Sequence, residues 1–314
     1  MEFETAPYLE LNDYKAPKGV KSIFIPMKDG IKLRLIYWKN SISSEINNGT
    51  VLLQQGHNEF IEKYYETIQE FLDRNFNVVC FDWRGQGMSD KMIENPHKQY
   101  IEDFNIHLDD IKFIINEFIY KRFSKPFIGV GHSMGGCIIL SSLEENDMVF
   151  DKVVLSAPML GFKNESFLMP FISLVNLFFK KESFLIGSRP NYGEETSFED
   201  NELTTDKMRY VRTLKFVRKK PEIRLWGVTN AWAKASKKFL LHMREKNWAE
   251  NIQTKILMIN SLNDKVVSPD HIKLMSKRLK NCRLINFESC GHEIFMEQDQ
   301  HRKKLWNSID SFIL

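Results

Sequence analysis

Cysteine is scarce in this 314-residue chain: Cys80, Cys137, Cys282 and Cys290 are all there is, and no two form a C-x-x-C pair. That excludes a disulfide framework and a cysteine-ligated structural zinc site. Internal repeats and low-complexity tracts are absent, which excludes solenoids and arrays. An excess of one charge is missing too. The 44 Lys and Arg stand against 41 Asp and Glu, a net charge of +3, and such balance argues against a nucleic-acid partner. The longest apolar run, Phe167 to Phe179, stops after 13 residues and is broken by Pro170 and Asn176, whereas a membrane span needs about 20. The opening Met-Glu-Phe-Glu-Thr-Ala-Pro is acidic and has no apolar centre, so no secretory leader is expected. The expectation is a soluble, cytoplasmic, reduced chain. Aromatic residues are plentiful, with 24 Phe and 6 Trp to fill a large core.

Strand-like and helix-like segments alternate. Val20–Met27 and Ile31–Trp38 flank Lys28-Asp29-Gly30, an Asp-Gly turn that predicts an antiparallel hairpin. Short apolar runs recur at Val51–Leu53, Val78–Phe81, Phe127–Val130, Val153–Leu155, Ile256–Ile259 and Arg283–Phe287. Continuous hydrophobicity of this kind suits strands buried on both faces of a parallel sheet. Between them, Phe60 to Leu72 and Phe104 to Phe118 carry helical apolar stripes. From about Met159 to about Arg224 the strands vanish, and Phe-rich, acidic and basic helical segments take their place.

The richest stretch is Gly131-His132-Ser133-Met134-Gly135, with an apolar strand before it and a helix opening after it. A serine on such a strand-to-helix turn projects its hydroxyl above the sheet edge, and the flanking glycines leave room for the strained backbone. A dinucleotide fingerprint would need glycine at 134, where methionine stands. Serine needs a base, and His292 follows the last predicted strand in Ser289-Cys-Gly-His292-Glu293. His132 is expected to point away from the site, and a zinc role for His292 lacks the second histidine of H-E-x-x-H. Asp264 follows the Lys255–Asn260 strand and gives the order Ser133, Asp264, His292. Its rival, Asp270, reads as part of a helix N-terminus, and Asp82 as structural. The oxyanion donors are expected to be the amides of Met134 and of His57, the latter in Gln54-Gln55-Gly56-His57.

With these residues the chain resembles the α/β-hydrolases of the monoacylglycerol lipase and bacterial lysophospholipase type, also described as serine aminopeptidase-like hydrolases. The resemblance rests on Gly56-x-x-Glu59, Asp82-Trp-Arg-Gly-Gln-Gly-Met-Ser89, Gly131 to Gly136, Asp264-Lys-Val-Val and Gly291-His292-Glu293. Asn201 to Asp206 and its continuation to Arg224 look like a bacterial lysophospholipase lid. What the resemblance implies is an α/β-hydrolase fold with a mostly parallel eight-stranded sheet. Residues 1–158 and 225–314 would form the core, and 159–224 an inserted helical lid. Ser133 would be nucleophile, Asp264 acid and His292 base, with a lipid ester as substrate and with no cofactor and no metal. The usual His-Gly is Gln55-Gly56 here. General carboxylesterase, aminopeptidase (its α-amine held by acids among Glu194 to Asp206) and non-catalytic receptor are the competing readings. The Phe167–Phe179 run could line an acyl channel, touch a bilayer or pack the lid. In the basic segment Lys207–Arg224, Arg209, Arg212, Lys215 and Lys219 project to one side, which suits contact with an anionic membrane or a phosphate head group.

Overall fold

The structure is a computed structural model and describes residues 3–40, 47–144, 149–163, 165–186 and 194–314, without the side chains of 166–168 and 175–178. Met1 and Glu2 of the segment read for a leader, and part of the Phe167–Phe179 run, lie outside the described residues.

The predicted hairpin forms from β2 (Lys21–Pro26) and β3 (Lys32–Trp38), with the Met27 amide donating to the Ile31 carbonyl at 2.8 Å across the turn. Its edge carries β1 (Glu4–Thr5), and the sheet continues through β4 (Thr50–Gln54), β5 (Asn77–Phe81), β7 (Phe127–His132), β8 (Lys152–Ser156), β10 (Lys255–Ser261) and β11 (Cys282–Phe287). The spatial order is β1-β2-β3-β5-β4-β7-β8-β10-β11. Among the described residues the sheet therefore has nine strands rather than the expected eight. The extra one is the two-residue β1, antiparallel to β2, too short to carry a period-2 signal. From β5 to β11 every pairing is parallel. β4, β5 and β7 are buried at every position, which is why they read as unbroken apolar runs.

The helices are α1 (Tyr65–Asp73), α2 (Asn105–Ile114), running on through a π turn at Ile115–Ile119 into α3 (Tyr120–Arg122), and α4 (Ser133–Ser141). They continue with α5 (Glu165–Phe178), α6 (Lys207–Lys219), α7 (Asn230–Met243), α8 (Pro269–Arg278) and α9 (Asp299–Ile313). Between β8 and α7 the described residues add no strand to the main sheet. A short ribbon of β6 (Lys98–Gln99) and β9 (Gly227–Val228) closes that stretch. No helix among the described residues is long and apolar enough to cross a membrane.

A charge cluster sits at the centre of this frame. Arg34 on β3 is fully buried and pairs with Glu62 (Nη1–Oε1 2.5 Å) and Asp82 (Nη2–Oδ2 2.6 Å). Asp82, at the end of β5, also accepts from the Met88 amide (2.8 Å), the Ile61 amide (3.2 Å) and the Gln55 side-chain amide (3.1 Å). Gly87, at φ +48, lies over this carboxylate, and a Cβ there would come within 2.2 Å of it. The Asp82-to-Ser89 motif is thus a carboxylate cradle, and Asp82 is structural as expected. Removing one member of a buried ion cluster strands the others without compensation. Arg34→Met should cost about 3–5 kcal/mol, read from the urea midpoint. A change within 0.5 kcal/mol would show the cluster to be dispensable.

Candidate active site

Parallel strands deliver their carboxyl-end loops to one edge of the sheet. Ser133, the first residue of α4, follows β7 directly, with φ +50. The neighbouring glycines permit this turn. A Cβ on Gly131 would sit 2.6 Å from the Gly136 backbone, and one on Gly135 would sit 2.5 Å from the Gln55 carbonyl oxygen. His292, beyond β11, places Nε2 3.0 Å from Ser133 Oγ. Its Nδ1 lies 2.6 Å from Asp264 Oδ2. All three side chains are buried.

Asp264 is itself fixed. Its Oδ1 accepts from the amides of Val266 (2.8 Å) and Val267 (3.0 Å), which leaves Oδ2 for the imidazole. Burial pushes this carboxyl up, but the His292 hydrogen bond and the two amides outweigh it and hold the group below its usual range. Asp270 lies instead in the first turn of α8, which is capped by the Ser268 side chain. His301 lies on α9, partly exposed.

The loop after β4 reaches Ser133, since a Cβ on Gly56 would lie 2.9 Å from Ser133 Cβ. The Met134 amide is one of the helix-initial donors with no intrahelical acceptor. The His57 amide has no protein partner among the described residues. The His57 ring faces Trp232 at 5.0 Å and makes no hydrogen bond to Ser133 or His292. Gln55, where the family pattern has histidine, donates from its side chain to the Phe81 carbonyl (3.0 Å) and to Asp82. Its own carbonyl accepts from Trp83 Nε1 (2.8 Å). The substitution therefore ties the loop to the Arg34–Asp82 cluster.

One expectation is corrected and another is narrowed. His132 does not point away: its ring lies 4.7 Å from that of His292, with Nδ1 3.1 Å from the Ser156 carbonyl oxygen. The basic stripe of α6 is turned inward only at Arg209 and Arg212, while Lys215 and Lys219 stay exposed. Arg209 bonds Glu66, Asp206 and Asp299. Arg212 bonds Glu66 and stacks on Tyr14 at 4.0 Å. Lys215 pairs with Asp13, and Lys219 donates to the Glu10 carbonyl. Phe216 on the same helix is fully buried against Tyr14, Phe60 and Tyr65, so the core draws this face inward.

Sequence reasoning missed a second charge system beside His292. Lys63 bridges Glu59 (2.7 Å) and Glu293 (2.5 Å), all three buried. Glu59 also accepts from the Gly56 amide (2.5 Å) and the Tyr64 hydroxyl (2.8 Å). Burial alone would raise the Glu59 carboxyl, yet Lys63, His132 and the Gly56 amide bring it to about 2. The i,i+4 spacing of Glu59 and Lys63 was a signal for their pairing, though not for their burial. Lys63 and Glu293 also line a cavity of about 320 Å³ under the 194–217 segment, together with Asn58 and Val266; Ser133 is not on its wall.

A family model described as serine aminopeptidase, S33, matches residues 45–299. Lysophospholipase L2 of Escherichia coli (strain K12) is 27% identical over 296 residues, covering 90% of this chain and 84% of that protein. A Haemophilus influenzae protein named "Probable lysophospholipase L2" is 26% identical over 265 residues, covering 84% of this chain and 83% of that one. Among solved structures, a soluble variant of monoglyceride lipase from Saccharomyces cerevisiae superposes with a TM-score of 0.73 at 15% identity, over 96% of this chain and 99% of that one. This likeness shows the α/β-hydrolase fold.

Three histidines whose rings are largely shielded from water make acid stability a test of this geometry. Burial depresses His57 and His132 to about 4, and His107, edge-on to Trp83, to about 3. Unfolded histidine titrates near 6.5, so between these limits the unfolded chain binds more protons and stability falls as pH falls. The urea midpoint should drop between about pH 6.5 and pH 4. His107→Leu should flatten the drop, and an unchanged slope would show that His107 is not held neutral.

Proposed function

This chain belongs to the family described as serine aminopeptidase, S33, and we propose that it is a serine hydrolase that cleaves the carboxylic ester of a monoacyl lipid, a lysophospholipid or a monoacylglycerol, through an acyl-enzyme. The observation that carries this reading is the alignment of Ser133 Oγ, His292 and Asp264 at 3.0 and 2.6 Å on a strained turn. His292 takes the hydroxyl proton as Ser133 Oγ attacks the ester carbonyl. The amides of Met134 and His57 receive the oxyanion, each such donor being worth about 3 kcal/mol. The alcohol departs with the proton from His292, and a water activated by the same imidazole releases the fatty acid. Asp264 holds the tautomer and stabilises the imidazolium. Every step uses the chain's own groups and water. Relatives named lysophospholipase L2 support a lipid ester as substrate.

In this reading residues 159–224 form the lid over a core of 1–158 and 225–314. Membrane contact is proposed through α5 rather than through the basic stripe of α6. Met169 and Ile172 are buried, while Phe171, Leu174 and the following Phe179 are exposed, beside the exposed Lys180 and Lys181. Such a surface suits an enzyme working in the cytoplasm at the inner face of an anionic membrane. The aminopeptidase reading keeps one observation in its favour: Asp200 and Glu202 line the cavity, where they could hold an α-amine. A panel of monoacylglycerol, lysophosphatidylcholine, p-nitrophenyl esters and aminoacyl amides separates the readings, since turnover of amides alone would reject the ester assignment.

Ser133→Ala should abolish ester hydrolysis with thermal unfolding nearly unchanged, and retained activity would sink the nucleophile assignment. Asp264→Asn should lower turnover by about 10⁴ and Asp270→Asn by far less; the reverse ranking would name Asp270 as the acid. Phe171→Ser with Leu174→Ser should weaken binding to phosphatidylglycerol-containing vesicles at least about tenfold, with soluble p-nitrophenyl ester turnover maintained. Undiminished vesicle binding would remove α5 from the contact.

A further inference from the structure

The cavity under the 194–217 segment touches three loops of the site, though not the turn that carries Ser133. Asn58 follows His57, Val266 lies two residues beyond Asp264, and Glu293 follows His292, and all three are on its wall. Its volume of about 320 Å³ falls within the usual range of small-molecule sites, about 300–1,000 Å³. The wall mixes charged and polar side chains with apolar ones such as Phe60, Leu214 and Val217, and the charged groups give it a means of holding a head group.

Three cations line it, and two are engaged. Lys63 lies between Glu59 and Glu293, and Arg209 is held by Glu66, Asp206 and Asp299. Arg224 differs: among the described residues no carboxylate lies within ion-pair distance of its guanidinium, although Glu195, held by Arg218, and Tyr210 are near enough to act on its charge. Its Nη1 is buried without a hydrogen-bond partner. A buried donor left unpaired is costly, and a guanidinium does not shed its proton. Arg224 as a whole is half-buried and stands on the cavity wall, where its planar fork suits phosphate oxygens. The backbone around it is set in place. The Arg224 carbonyl lies 2.8 Å from His97 Nδ1, and the Leu225 amide donates to Asn58 Oδ1 at 2.7 Å. His97 stacks on Trp226 with ring centroids 4.0 Å apart. Arg224 is thereby tied to the loop that carries the His57 amide.

A lone anion would also meet Asp200 and Glu202 on the same wall. Among the described residues the Asp200 carboxylate accepts from the Ser197 hydroxyl, to which the Asp200 amide donates in turn, and Glu202 lies 3.9 Å from Lys265. Two carboxylates and one arginine lining the same cavity match a ligand that carries both charges. We propose that this cavity receives the head group of a zwitterionic lysophospholipid, with the phosphodiester at Arg224 and the ammonium toward Asp200 and Glu202. The inference rests on the ester-hydrolase reading and selects the lysophospholipid within it.

The full-length chain and its Arg224→Gln and Asp200→Asn/Glu202→Gln variants test it with lysophosphatidylcholine, lysophosphatidic acid and a monoacylglycerol of the same acyl chain. In Arg224→Gln the ratio of kcat/KM for lysophosphatidylcholine over monoacylglycerol should fall at least about tenfold, the scale of one charge-assisted hydrogen bond. The carboxylate variant should narrow the preference for lysophosphatidylcholine over lysophosphatidic acid. Glycerophosphocholine should inhibit p-nitrophenyl ester hydrolysis by the native chain, and at least about tenfold less well in Arg224→Gln. An unchanged lipid ratio in Arg224→Gln, or no inhibition by glycerophosphocholine, overturns the head-group site while leaving ester hydrolysis standing. Absence of turnover of every ester by the native chain, with no fluorophosphonate labelling of Ser133, overturns the hydrolase reading itself.

Discussion

The pairing of Arg34 with Asp82 is the constraint from which the reactive edge of the sheet takes its shape. A fully buried guanidinium needs its carboxylates, and Asp82 in turn gathers donors from the Gln55 side chain, Ile61 and Met88. Gln55 opens the loop that continues into Gly56 and His57, so the position of the proposed oxyanion donor is inherited from the Arg34–Asp82 charge cluster. The glutamine that replaces the usual histidine keeps this tether through its amide, which donates to Asp82 and to the Phe81 carbonyl.

The loop carrying His292 is held from the other side by residues of the segment before α6. Glu297 accepts from the amides of Gly291 (2.6 Å) and Thr205 (3.0 Å) and from the Thr205 hydroxyl. The Glu293 amide donates to the Leu203 carbonyl at 2.8 Å. A Cβ at Gly291 would meet that same carbonyl at 2.5 Å, so glycine before the histidine is a packing requirement. The Asn201-to-Asp206 segment is therefore a strut for the base as well as a cover for the cavity. Arg209 extends the strut, joining Asp206 to Glu66 beside the core and to Asp299 on α9.

Buried charge recurs on this edge, in Arg34–Glu62–Asp82, Glu59–Lys63–Glu293 and Arg84–Asp110. Such groups add little net stability. Their directional bonds do fix where loops sit, and an acyl-transfer site needs its donors placed before the charge develops. Only Arg224, of the three cations on the cavity wall, is left without such a partner among the described residues.

Much of this was legible in the chain itself. Parallel strands buried on both faces read as unbroken apolar runs, so the sheet from β2 to β11 was visible. The Gly131-to-Gly135 turn and the order Ser133, Asp264, His292 carry their geometry in residue type and spacing, because strand-end loops of a parallel sheet must meet at one edge. β1 was invisible, since two residues hold no period. The direction of the α6 basic stripe was undetermined as well. A helical projection gives the relative sides of Arg209, Arg212 and Phe216, but which side turns inward depends on Glu66, Tyr14 and Tyr65, which lie about 140 to 200 residues away in the chain. The same holds for Lys63 and Glu293, Gln55 and Asp82, and the unpaired Arg224. A sequence states which groups are charged; whether each is buried, and what faces it there, is decided only when distant segments pack together.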